Sequence, residues 1–113
     1  MIERMTHEEY VLSARQKAVE IASGILDGTI PVLEGCHLLA SLQSEVDVAD
    51  SDPDFVIFDM ISSEIDALPI GEVRAHWADE ALARLEPKIQ SAITWATPQA
   101  LPACKSVMQR FWA

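Results

Sequence analysis

The chain is poor in cysteine, glycine, aromatic residues and, over half its length, in positive charge. Its two cysteines, Cys36 and Cys104, are far apart, each in an apolar stripe and outside any C-x-x-C spacing. This excludes a disulfide framework and a zinc knuckle, and reduced core thiols are favoured over a disulfide or a catalytic thiol. Four glycines are too few for a phosphate-cradling loop. No run of 18 apolar residues is present, and residues 1–10 mix both charge signs without an apolar stretch, so neither a membrane span nor a secretory signal is expected. With 8 Lys+Arg against 18 Asp+Glu, the formal net charge of −10 argues against nucleic acid and anionic membranes as partners. These exclusions point to a soluble, cytoplasmic protein.

What is present is core and helix. At 113 residues with 50% hydrophobic content, the chain can bury a proper core as a single helical domain over 1–113. Apolar residues recur at spacings of three and four, and no strand pattern competes. Thr6 and Glu9 form a capping box for a first helix whose buried face reads Val11, Ala14, Ala18, Ile21 and Ile25. Thr29 is the expected N-cap of a second helix, with Pro31 in its first turn and Gly35 allowing a close helix–helix approach. Asp52 or Ser51 caps a third with Pro53 at N1 and a stripe of Phe55, Phe58, Ile61, Ile65 and Leu68, widened by Val56, Ile57 and Met60. Such breadth predicts the most buried helix. A fourth is expected to start at Gly71, to kink or restart at Pro87, and to give way to a last helix opening at Pro98. The expected fold is all-α, a compact bundle of four to six short helices in antiparallel hairpins.

Charge is distributed unevenly. Residues 18–73 contain twelve acidic residues and no Lys or Arg, whereas residues 1–17 are balanced and residues 74–113 carry a slight positive excess. Glu45, Asp47, Asp50, Asp52 and Asp54 crowd one loop, and Asp59 follows. A solvated face, partly offset by Arg74, Arg84 and Lys88, and a docking surface for a basic partner both fit this pattern. Joint neutralisation of Asp50, Asp52 and Asp54 to Asn is then expected to leave the fold intact. The Asp50–Asp54 alternation resembles the start of a calcium loop, but Phe55 and Ile61 stand where that loop needs Gly and Glu, leaving at most a weak exposed cation site.

Catalytic signals are sparse. Glu34-x-x-His37 is half of a di-iron bundle motif with no second half, so no metal or cofactor is expected. His76 and Glu80 fall at i,i+4 and can pair. No Ser/His/Asp or Cys/His arrangement is detectable, and the chain reads as a non-enzyme. The densest mixture of chemistry is the corner cluster Glu64, Asp66, Arg74, His76 and Trp77. There Arg74 is expected to present its fork to Glu64 or Asp66, Asp66 to cap the fourth helix, and Trp77 to shield the corner. That corner serves either as a structural clamp or as a site for a small anionic ligand or partner carboxylate.

The run Ser63-Glu64-x-Asp66-x-Leu68-Pro69-x-Gly71-x-Val73-Arg74-x-x-Trp77 resembles a family of short bacterial proteins of unknown function. Glu34-Gly-Cys36, Leu38-Leu39-Ala40, Asp52-Pro-Asp-Phe55 and Glu80-Ala81-Leu82 share in the likeness, which spans roughly Ala18 to Leu85. The resemblance implies a bacterial cytosolic origin and helical structure, and brings no activity, cofactor or catalytic residue. Members of that group continue with a long charged helix. Here Pro87, Pro98 and Pro102 interrupt that region, and Trp95 and Trp112 replace charge.

Three functions follow as expectations. The first is a non-enzymatic protein-binding module, most concretely an immunity or antitoxin-type protein masking a basic partner through Glu45, Asp47, Asp50, Asp52, Asp54 and Asp59. The second is a homodimeric or larger homo-oligomeric adaptor joined through Trp95, Phe111 and Trp112. The third is a bundle binding a small ligand or metal through Glu64, Asp66, Arg74 and His76.

Overall fold

A computed structural model describes residues 6–111, with Glu72 described through its backbone alone. Four α-helices make an all-α bundle, and no strand occurs among the described residues. Helix α1 (His7–Asp27) starts at Thr6, whose hydroxyl accepts the Glu9 amide at 3.1 Å, as the capping box predicts. It ends at Gly28, where φ of 85° closes the helix in the left-handed region that glycine enters without penalty. Thr29 does not cap the next helix. Its amide and hydroxyl both donate to Asp27 Oδ1, at 2.9 and 2.6 Å, so its oxygen belongs to the turn. Helix α2 (Val32–Ser41) begins directly after Pro31 without a side-chain cap.

The turn folds α2 back on α1 tightly. A Cβ at Gly35 would collide with Cγ1 and Cδ1 of Ile25, which confirms close approach as the reason for that glycine. Helix α3 (Pro53–Glu64) has Asp52 at N-cap and Pro53 at N1, and buries Phe55, Phe58 and Ile61 completely. It stops four residues earlier than the apolar stripe suggests. Ile65 and Leu68 pack on the core from the segment beyond it, while Val56 and Met60, read as widening the buried face, point outward at 45% and 38% exposure.

The expected fourth helix is divided. Gly71–His76 is a 3₁₀ turn, Trp77 is extended, and α4 (Asp79–Phe111) begins only afterwards. From there α4 runs 33 residues through Pro87, Pro98 and Pro102 without a break, where separate helices are expected. The reason is angular. Prolines eleven and then four residues apart fall within about 60° of one another around a helix of 3.6 residues per turn. All three lie on the exposed side, opposite the buried Ile89, Ala96, Ala100, Ala103, Cys104 and Val107. Carbonyls released by the missing N–H groups therefore face solvent, on the side where long helices are normally convex.

Helix α4 packs most extensively on α1, and both helices bury small side chains in the common core: Ala14, Ala18 and Ala22 on one, Ala96, Ala100 and Ala103 on the other. Cys36 and Cys104 are free and wholly buried, and burial pushes both thiols up to about 12, which suits core fillers and not nucleophiles. No helix is long and apolar enough to cross a membrane among the described residues.

Candidate functional site

The acidic loop between α2 and α3 separates into two parts with opposite fates. Asp52 and Asp54, expected on a docking surface, are turned inward with side-chain exposures of only 7% and 12%. Asp52 accepts the amides of Asp54 and Phe55 through Oδ2, each at 3.2 Å, capping α3. The same carboxylate receives both prongs of the Arg110 guanidinium, Nη2 to Oδ1 at 2.6 Å and Nη1 to Oδ2 at 3.0 Å. Arg110 Nη1 also reaches Asp54 Oδ2 at 2.7 Å, where Ser106 Oγ donates at 2.6 Å. The fork, together with the helix-capping amides, holds the Asp52 carboxyl below its ordinary value against the opposing effect of burial.

A second arginine secures the loop's other half. Arg15 on α1 donates Nε to the Val46 carbonyl at 2.8 Å and Nη2 to the Asp47 carbonyl at 3.2 Å. Arg15 and Arg110 both lie against the Phe111 ring, 4.8 and 5.3 Å from its centroid. Phe111 in turn stacks near Phe55, so this residue, assigned above to a subunit contact, is taken up inside the fold. Val46 sits fully buried beneath the acidic side chains. Asp47 adopts φ of 56°, and Asp47 and Asp50 project into solvent, while Glu45 accepts the Tyr10 hydroxyl and Asp59 is half-buried.

The corner cluster does not assemble as expected. Glu64 and Asp66 are exposed, and neither meets Arg74. Arg74 donates Nη1 to the Pro69 carbonyl at 3.4 Å and lies 3.8 Å from Glu86 on α4. His76 and Trp77 are exposed on the turn, no ion pair of Arg74 with Glu64 or Asp66 is there for Trp77 to shield, and the extended backbone at Trp77 removes the helical spacing that would pair His76 with Glu80. The cap assigned to Asp66 is made by Glu34, whose Oε1 accepts the Gly71 amide at 3.1 Å. An exposed ion pair of this length contributes little, so Arg74→Ala is expected to shift stability by less than about 1 kcal/mol in urea denaturation. A loss of several kcal/mol would show that Arg74 holds a buried carboxylate after all.

Around this corner the surface opens into a groove of about 660 Å³ between α2, the end of α3 and the following segment. Glu34, His37 and Asp66 line it together with Leu38, Ile65, Leu68, Ile70 and Val73. His37 Nδ1 lies 2.9 Å from Ser62 Oγ. That contact joins residues 25 positions apart and has no local signal. Glu34 is committed to the Gly71 amide, and among the described residues no carboxylate hydrogen-bonds His37. The pair orients the ring without forming a relay. A smaller groove of about 360 Å³ lies on the other side of Glu34 and Ile70, and there Arg74 and Glu86 face each other. No group of three or more His, Cys, Asp or Glu side chains converges as a metal site among the described residues.

Trp95, named above as a subunit contact, is 39% exposed on α4, and Trp112 lies outside the described residues. Set against protein-family models, curated proteins and solved structures, the chain matches none of them.

Proposed function

We propose that this chain is a non-enzymatic acidic binding module that docks on and masks a basic partner protein, in the manner of an immunity or antitoxin protein, in the cytoplasm. One observation carries the reading. Across residues 18–73 the chain holds twelve carboxylates and no Lys or Arg, and among the described residues the fold brings Arg15 and Arg110 against the acidic loop. Those two arginines are consumed by Asp52, Asp54 and loop carbonyls. Among the described residues no salt bridge reaches Asp47, Asp50, Asp59, Glu64 or Asp66.

The outward face of α3 adds contact area to charge. Val56, Asp59, Met60 and Ser63 recur at helical spacing on one side, so exposed apolar groups lie beside a carboxylate. Such a mixture suits a partner whose Lys and Arg side chains meet the acids while its apolar atoms cover Val56 and Met60. Charge of one sign raises association above the neutral range of roughly 10⁵–10⁶ M⁻¹s⁻¹ and makes it salt-sensitive.

The test is affinity capture from the native lysate at low and high salt, with the combined variant Asp47→Asn, Asp50→Asn, Asp59→Asn run in parallel. A basic protein retained at low salt, released by salt and lost with the variant is the expected result. Recovery of this chain alone at both salt concentrations would overturn the reading in favour of self-association.

A further inference from the structure

We infer that the 660 Å³ groove beside Glu34 and Asp66 is the specificity pocket of the docking surface, receiving an arginine or lysine side chain of the partner together with a flanking aliphatic residue. The inference rests on the acidic-module reading above and deepens it by naming what the partner inserts.

The groove has a wall for each half of such an occupant. Ile65, Leu68 and the exposed Leu38 and Val73 give it an apolar side; the last two are 46% and 50% exposed. Glu34 and Asp66 contribute two carboxylates, and among the described residues no Lys or Arg lines it. Glu34 spends Oε1 on the Gly71 amide, which fixes the carboxylate at the groove and leaves Oε2 as an acceptor. The neighbouring smaller groove shows the balanced alternative, since there Arg74 supplies the positive charge opposite Glu86. Of these two grooves, the larger combines carboxylates with apolar surface and, among the described residues, has no lysine or arginine in its lining. A long basic side chain fits because its methylene stem covers apolar atoms while its head meets the acids.

The groove also has the firmness that a pocket needs. Glu34, His37 and Leu38 come from α2, Ser62 from the last turn of α3, and the His37–Ser62 hydrogen bond ties the two helices across it. Ser62 places it at the C-terminal end of α3, the helix whose outward face carries Asp59 and Met60.

The experiment is an amide chemical-shift titration of the full chain with three blocked tripeptides. Ac-Leu-Arg-Leu-amide carries both features, Ac-Leu-citrulline-Leu-amide removes the charge while keeping the shape, and Ac-Gly-Arg-Gly-amide removes the aliphatic flanks. Saturable shifts at Leu38, Ser62, Asp66 and Val73 are expected with the first peptide. Binding should weaken roughly tenfold with either control, the scale of losing one good contact. Leu38→Ala and Asp66→Asn, both at exposed positions, should produce the same weakening without altering the rest of the spectrum.

Non-saturating shifts spread over Asp47, Asp50 and Asp59 with all arginine peptides would overturn the pocket while leaving the acidic-module reading standing. A captured basic partner that binds Leu38→Ala and Asp66→Asn as tightly as the parent chain would do the same. Absence of any shift with the first peptide also overturns the pocket, whereas the salt-dependent capture alone decides the broader reading.

Discussion

Arg110→Ala is expected to cost the fold about 2–3 kcal/mol in urea denaturation, because it leaves two inward-turned carboxylates without their cation. Asp52 loses a bidentate partner, and Asp54 keeps only Ser106 and no charge to oppose its own. Breaking a fully buried pair typically costs about 3–5 kcal/mol; the expected loss is smaller because the Arg110 side chain is 36% exposed and water screens part of the interaction. The effect has a pH signature. Asp52 is held below its ordinary 3.8 chiefly by the Arg110 hydrogen bonds. A carboxyl depressed in the folded state contributes stability above its unfolded pKa, and that contribution disappears as pH falls from the ordinary value through the folded one. The gap between parent and variant should therefore be full at neutral pH and close as the solution is acidified below about pH 4. An equal gap at every pH would mean that Arg110 acts through Phe111 packing alone. For the same reason, joint neutralisation of Asp50, Asp52 and Asp54 is no longer expected to be tolerated, and the loss belongs to the last two.

Arg110 also marks where sequence reasoning stops. The caps at Thr6 and Asp52 are legible because donor and acceptor lie within three residues, and local spacing suffices to find them. Gly35 is legible as an exception that only close packing excuses. The Arg110–Asp52 and Arg110–Asp54 contacts span 58 and 56 residues, so nothing near the acidic loop shows that its charge is partly cancelled. Evenness of the charge pattern is a one-dimensional statement, whereas neutralisation is three-dimensional. Val46 continues the spacing of Leu39 and Leu42, but it lies past the end of α2 and between two acids, so its burial is hard to read locally. The groove is assembled from α2, α3 and the segment after it, and only the Glu34-x-x-His37 spacing hints at it.

The α4 prolines differ, because the information that decides them is local but lies in their angular position and not in residue type. Proline opposes a helix interior by removing a donor and crowding the preceding turn, and that rule predicts a kink or restart at Pro87 and a new helix opening at Pro98. The rule ignores which side of the helix the proline occupies. With all three on the exposed side, water can satisfy the released carbonyls, and apolar burial on the opposite side keeps the helix continuous.

Continuity achieved in this way still carries a cost, so Pro98→Ala is expected to raise stability by about 2 kcal/mol. An interior proline opposes a helix by about 3 kcal/mol relative to alanine, and part of that gain is offset because alanine frees the unfolded chain by about 0.4–1 kcal/mol. Pro98 is the position of choice, lying in the middle of α4 between the buried Ala96 and Ala100. Backbone carbonyls there already draw side-chain donors: Thr94 Oγ1 to Gln90, Thr97 Oγ1 to Ile93 and Gln99 Nε2 to Trp95, at 3.0, 2.6 and 3.0 Å. Pro53→Ala is the control, since a proline at N1 lacks no helix bond and its replacement should bring no gain. Thermal and urea unfolding of the two variants separate the alternatives. If Pro98→Ala instead lowers stability, the proline is shaping α4 so that Ala96, Ala100 and Ala103 seat in the core, and the curvature of the helix contributes more than the missing hydrogen bond costs.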